Sequence, residues 1–201
     1  ISGADGETHQ GVFDLSFLNL IPNLTIAVPK DIDEFEAMLI SSATFNAPLA
    51  IRYPKECFRT FKGEGKKFEF GKWEYLQRGN CNLAIIACGE RAISLALSVS
   101  DKLKNDGVDV AVINASTVKP LDYNLLNDLH ADTVVTIEDN QLIGGFGSAV
   151  CAYFSENNNV KVKCFAYEDK FIPHGQSCEL MKEFGLDAAA VYAYLKKNAH
   201  R

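Results

Sequence analysis

No apolar run in the sequence approaches the roughly 18–20 residues needed to cross a bilayer, and no basic segment leads a short apolar stretch as in a secretion or transit signal. The reading is of a soluble protein with no membrane partner. Zinc-type ligand spacing is also missing: Cys57, Cys81, Cys88, Cys151, Cys164 and Cys178 stand far apart, with no C-x-x-C and no paired Cys/His motif. Three of these cysteines sit inside apolar runs, where a reduced thiol packs as a small hydrophobe, so a reducing, cytoplasmic setting is expected. Clustered basic charge is scarce. Lys and Arg number 20 against 26 Asp and Glu, the net charge is -6, and Lys66-Lys67 and Lys196-Lys197 are the adjacent basic pairs. That balance argues against a nonspecific nucleic-acid partner, which needs a clustered basic face. Neither G-x-G-x-x-G nor G-x-x-x-x-G-K-[ST] occurs. Methionine is confined to Met38 and Met181 and the chain opens on Ile1, so the start reads as a cut within a longer protein.

What is present suits a folded core: 47% of the 201 residues are hydrophobic and 23% charged, enough for two small domains. The densest polar stretch is the opening one, Ile1-Ser2-Gly3-Ala4-Asp5-Gly6-Glu7-Thr8-His9-Gln10-Gly11-Val12-Phe13-Asp14. Three glycines in eleven residues allow sharp turns and close approach to a ligand, and Asp5, Thr8, His9 and Asp14 can hydrogen-bond a sugar-like or phosphorylated molecule. Asp-Gly is equally an ordinary turn signal.

A short helix is expected before Pro22, then a strand over Leu24–Val28 and a helix capped by Asp31 with Glu34. A strand over Leu49–Tyr53, parallel to the first, completes one βαβ unit. One such unit cannot enclose a core alone, so residues 1–55 read as the incomplete C-terminal part of a domain. Residues 56–80, rich in Lys, Gly, Glu and scattered aromatics (Phe58, Phe61, Phe68, Phe70, Trp73, Tyr75), read as a linker with room for short strands. Residues 81–201 then follow a βαβαβα pattern. Its strands cover Leu83–Cys88, Val108–Ile113 and Thr133–Ile137, and its helices run up to Gly107, over Leu121–Leu129 and over Gly147–Phe154. An edge strand near Val160–Ala166 and two closing helices complete it. The fold class is α/β, three-layered, with parallel or mixed sheets covered by helices on both faces.

Four motifs admit a functional and a structural reading. Ile143-Gly144-Gly145-Phe146-Gly147-Ser148 opens a helix where backbone N–H groups can cradle an anion, but lacks the phosphate-loop spacing, and tight packing is the preferred alternative. Glu138-Asp139 ends a strand at the carboxyl edge, where open α/β sheets bind ligands; helix or loop caps would serve as well. Pro173-His174-Gly175, His130 and His200 have no evident partners and read as structural. Arg52-Tyr53-Pro54-Lys55 places two cations at a strand end, able to meet a phosphate or merely solvated.

Taken together, Gly3-Ala4-Asp5-Gly6, Thr8-His9-Gln10-Gly11, Phe13-Asp14, Ile21-Pro22-Asn23, Pro29 with Asp31, Arg52-Tyr53-Pro54, Lys119-Pro120-Leu121-Asp122, Glu138-Asp139, Gly144–Ser148 and Pro173-His174-Gly175 resemble the 1-deoxy-D-xylulose-5-phosphate synthase family of the transketolase superfamily. The resemblance spans the chain and implies the end of a pyrimidine-binding domain followed by a transketolase-like C-terminal domain. It implies thiamine diphosphate and Mg2+ as cofactors, held mostly by segments absent here, a cytoplasmic homodimer, and pyruvate and glyceraldehyde 3-phosphate as substrates of a transferase that feeds isoprenoid, thiamine and pyridoxal precursors. It assigns catalytic roles to Asp5 and His9 and substrate binding to Thr8, Arg52 and Lys55. The family usually reads Arg-Tyr-Pro-Arg-Gly where this chain has Arg52-Tyr53-Pro54-Lys55-Glu56. Lysine keeps the charge but loses the bidentate fork, and Glu56 opposes it. The piece alone is expected to be inactive. Another thiamine-diphosphate enzyme of transketolase type and a free-standing dimerisation or binding module stay open as alternatives.

Overall fold

The computed structural model describes residues 1–55, 68–80, 82–156 and 160–199. Glu56, Cys57, Phe58, Phe61, Lys66, Lys67, Cys81 and His200 lie outside the described residues. The first region forms a 3-10 turn at Gly3–Asp5, helix α1 (Asp14–Leu18), strand β1 (Thr25–Ala27), helix α2 (Ile32–Ser42) and strand β2 (Leu49–Ile51). β1 and β2 pair in parallel, Ile26 opposite Ala50. The Asp31 carboxylate accepts the N–H of Glu34 at 2.8 Å, and the Glu34 carboxylate reaches back to the Lys30 N–H at 2.7 Å. This reciprocal cap fixes where α2 begins.

The second region holds β3 (Glu74–Gln77), β4 (Leu83–Cys88), α3 (Glu90–Asn105), β5 (Ala111–Asn114), β6 (Thr117–Lys119), α4 (Tyr123–Asn127), β7 (Thr133–Gln141), α5 (Phe146–Ser155), β8 (Lys161–Tyr167), α6 (Ser177–Glu183) and α7 (Ala188–Asn198). Five strands make one sheet in the order β3-β5-β4-β7-β8, parallel except for β3. Residues of β4 alternate between its faces. Ile85 and Ala87 join the cluster under α3, α6 and α7, whereas Ala84, Ile86 and Cys88 join the cluster that also takes in α1 and α5. Along α3, Ile93, Ala96, Val99, Ser100 and Leu103 are buried at the 3–4-residue spacing of one helix face. The result is the three-layer α/β fold expected.

Two strands pair in ways the sequence pattern does not show, and one of them binds the regions together. β3 falls within the stretch expected as linker, yet it pairs with β5 and the neighbouring Trp73 is 7% exposed, its indole donating to the Thr117 carbonyl at 2.7 Å. β6 leaves the second region to pair antiparallel with β1, giving a three-stranded sheet β2-β1-β6. Leu15, Ile26 and Val28 of the first region accordingly share one core with Ile86, Ile113 and Phe146 of the second. β8 is an edge strand as expected, but its outward face is wet only at Lys161 and Lys163; α6 and α7 cover Phe165 and Tyr167.

Candidate functional site

Residues at or just after the carboxyl ends of β1, β2 and β4, together with Asp139 of β7, meet across one gap, and the opening residues line it with them. A cleft of about 120 Å³ forms there, lined by Ser2, Gln10, Asp14, Arg52, Lys55, Cys88, Arg91 and Asp139 among others. Complete small-molecule pockets run to ~300–1,000 Å³, so this cleft is smaller than a complete site of that kind.

The opening stretch is held by the second region. Gly175 N–H donates to the Gly3 carbonyl at 3.1 Å, and Gln141 N–H to the Val12 carbonyl at 2.7 Å. Gln10, 1% exposed, turns its amide nitrogen to the carbonyls of Gly3, Ile172 and Pro173 while its oxygen accepts the Ser2 N–H. Gly3 is required by contact: a Cβ there would lie 2.4 Å from the Gly175 carbonyl oxygen. His174, read from sequence as structural, sits beside Gly6, which adopts φ +74°. Two glycine-containing motifs some 170 residues apart in sequence thus form one docked pair of loops.

Of the five residues expected in the site, Arg52 and Lys55 line the cleft and Asp5 joins through Lys55. Lys55 Nζ lies 2.7 Å from both carboxylate oxygens of Asp5. Thr8 and His9 are exposed, with Thr8 Oγ1 at 2.8 Å from His9 Nδ1. Arg52 is turned inward. Its Nε donates to Asp14 at 3.2 Å and an Nη to the carbonyls of Gly11 and Asp139, each at 2.9 Å. The guanidinium therefore clasps the opening stretch to the end of β7, and its partners are groups of the protein itself.

Glu138 and Asp139, adjacent on β7, face opposite ways and titrate oppositely. Glu138 is fully buried and accepts the N–H groups of Phe146 at 2.8 Å and Gly147 at 2.7 Å. Burial outweighs those two hydrogen bonds and the positive charge of Arg52, raising its carboxyl to about 8. This carboxylate fills the anion cradle that the glycine-rich motif could have offered. Side chains at Gly145 and Gly147 would intrude on it, at 2.6 and 3.0 Å from its oxygens, so the glycines serve packing. Burial would also raise Asp139, but the positive charges of Arg52 and Arg91 beside it work the other way and hold the carboxyl down. Tyr167 donates to the other Asp139 oxygen at 2.8 Å, and burial with that negative neighbour pushes the phenol up.

Sequence reasoning passed over Gln10, Arg91 and Tyr167 as individual residues. Gln10 appeared only within its motif, and nothing local marks Arg91 or Tyr167, whose roles arise from pairings across roughly 30 to 90 positions.

Comparison with known proteins gives consistent matches along the whole chain. The family description "Transketolase, C-terminal domain" matches residues 71–191, and "Transketolase, pyrimidine binding domain" matches residues 1–60. The chain is 43% identical over 198 residues to 1-deoxy-D-xylulose-5-phosphate synthase of Clostridium tetani, covering 97% of this chain and 32% of that protein. It is 46% identical over 195 residues to the synthase of Clostridium perfringens (94% and 31%), and 40% identical over 193 residues to that of Aquifex aeolicus (94% and 30%). The chain thus spans about a third of the length of these relatives. Among solved structures, a split-gene transketolase described as an inactive β4 tetramer superposes with a TM-score of 0.89 at 28% identity, covering 98% of this chain and 65% of that one. A Pichia stipitis transketolase variant matches in fold at a TM-score of 0.74 and 17% identity.

Proposed function

This chain belongs to the transketolase family, and on that premise we propose that it is the acceptor-binding part of a 1-deoxy-D-xylulose-5-phosphate synthase. The intact enzyme joins pyruvate to glyceraldehyde 3-phosphate with loss of CO2, as a cytoplasmic homodimer that uses thiamine diphosphate and Mg2+. The observation that supports this reading is the pairing of Asp5 of the docked loop with Lys55, which lines the cleft together with Arg52, in a chain 40–46% identical to proteins bearing that name.

The described residues do not themselves fit the cofactor's diphosphate or its metal. Glu138 occupies the N–H groups at the start of α5, and Arg52 is engaged by Asp14 and two carbonyls. No group of three or more His, Cys, Asp or Glu gathers among the described residues as a metal site. Cofactor and metal are therefore assigned to segments other than these, and no chemical step is routed through them.

The residues present act on the acceptor. Lys55 receives the phosphate, exchanging the Asp5 carboxylate for it; the exchange is easy because a solvent-exposed pair is worth only ~0–1 kcal/mol. Released Asp5 accepts a hydrogen bond from an acceptor hydroxyl. In the tautomer that carries its proton on Nε2, His9 accepts from the Thr8 hydroxyl at Nδ1 and donates from Nε2 to the acceptor carbonyl oxygen as charge develops there. Arg52, Gln10 and Asp139 keep the loop in place, the positioning on which such transfer depends.

The test joins the chain to the upstream segments of its parent and assays synthase activity with pyruvate and glyceraldehyde 3-phosphate. The 201 residues alone are expected to be silent and the joined protein active. Activity from the piece alone, or preference for a ketose donor in place of pyruvate, would overturn the reading.

A further inference from the structure

Away from the cleft, Cys151 on α5 and Cys164 on β8 bring their sulfurs to 3.3 Å. Both side chains are half-buried free thiols. We propose that Cys151 and Cys164 form a dithiol site that closes to a disulfide between α5 and β8 when the oxidant is a low-molecular-weight disulfide.

Three features of the fold favour closure. A disulfide needs an S–S distance of ~2.0 Å, so the sulfurs have about 1.3 Å to travel, within reach of small side-chain rotations. Gly147, one turn before Cys151, holds open the space for the Cys164 sulfur, since a Cβ there would lie 2.9 Å from it. The partners are also fixed by different elements: Cys164 is in register with Thr136 of β7, and α5 is anchored at its start by Glu138.

The step is a two-electron exchange. The Cys164 sulfur attacks the small disulfide RSSR, forming a mixed disulfide and releasing one RSH. Cys151 then loses its proton and displaces the second RSH, so two protein thiols are oxidised and one RSSR is reduced to two RSH. Before the exchange begins, burial, the hydrogen bond with Cys164 and its charge push the Cys151 thiol up to about 12, which leaves the first attack to Cys164; the mixed disulfide at Cys164 removes the last two causes, and burial alone then slows the closing step. The two cysteines are 13 residues apart, so the closed form staples the middle of α5 to the edge strand of the sheet.

The experiment treats the 201-residue chain with glutathione disulfide, then alkylates remaining thiols and maps peptides without reduction. A closed pair lowers the mass by about 2 Da, against a gain of about 305 Da for a mixed disulfide left open. Expected are a Cys151–Cys164 cross-link, lost in Cys151→Ser, and a melting temperature higher than that of the reduced chain by on the order of 5–10 °C. If Cys151 and Cys164 stay alkylatable after the exposed Cys178 has been consumed, or if either pairs elsewhere, the proposal fails. Differential alkylation of the unaltered chain reads this directly, whether or not the variant folds. The outcome is independent of synthase activity.

Discussion

Gly3→Ala isolates the docking of the opening loop. The added Cβ would sit 2.4 Å from the Gly175 carbonyl oxygen and 2.8 Å from Ser177 N and Oγ. Ordinary carbon–oxygen contact is near 3.3 Å, so the loop or the 173–177 segment must retreat by roughly 1 Å, and overpacking of this kind costs about 1–3 kcal/mol. The same retreat stretches the Gly175 N–H bond to the Gly3 carbonyl and weakens the Gln10 contact to it, adding about 1 kcal/mol. The expected loss is about 2–4 kcal/mol, or undocking of the loop when that is cheaper. Gly6→Ala serves as the control. Its neighbour His174 Cβ is 3.8 Å away, leaving only the backbone at φ +74° and ψ -175°, a region that favours glycine and costs an alanine about 1–3 kcal/mol without pressing on Gly175. Urea denaturation compares stabilities, and amide exchange at Gly175 and Gln141 reports docking. Gly3→Ala that leaves amide protection at Gly175 as high as Gly6→Ala does would refute the docking argument.

Further expectations concern the core beneath the site. Gly147→Ala should destabilise the chain by about 1–3 kcal/mol despite a helix-propensity gain of about 1 kcal/mol, because its Cβ meets Thr136 Oγ1 at 2.7 Å and Cys164 Sγ at 2.9 Å; denaturation reads the sign. Folded Glu138 holds its proton to about 8 against an ordinary 4.5, so the folded chain binds more protons across that window and stability falls by a few kcal/mol as pH rises through it. Glu138→Gln should flatten that slope in urea titrations between pH 5 and 8.

Much of this was legible in sequence because local chemistry fixed it. The Asp31/Glu34 cap, the apolar runs of β4 and β7, and the face of α3 follow from spacing alone. β3 and β6 did not announce themselves, since a three- or four-residue strand is defined by its partner, and those partners, β5 and β1, lie about 40 and 90 residues away. The site was legible as residue types but not as roles. The Arg52-Tyr53-Pro54-Lys55 motif presents two cations in sequence; only the fold turns Arg52 onto Asp14 and two carbonyls and leaves Lys55 facing solvent against Asp5. Glu138 likewise looked available as a carboxylate until α5 was seen to start on it.

The central claim is that this chain carries the acceptor side of the reaction. It is tested most directly by steady-state kinetics of Lys55→Ala in the chain joined to its upstream segments, with the two substrates varied separately. The KM for glyceraldehyde 3-phosphate should rise at least about tenfold, the loss of roughly 1.4 kcal/mol or more of phosphate binding, while the KM for pyruvate stays as it was. An unchanged KM for glyceraldehyde 3-phosphate, or an equal rise for both substrates, would contradict the account.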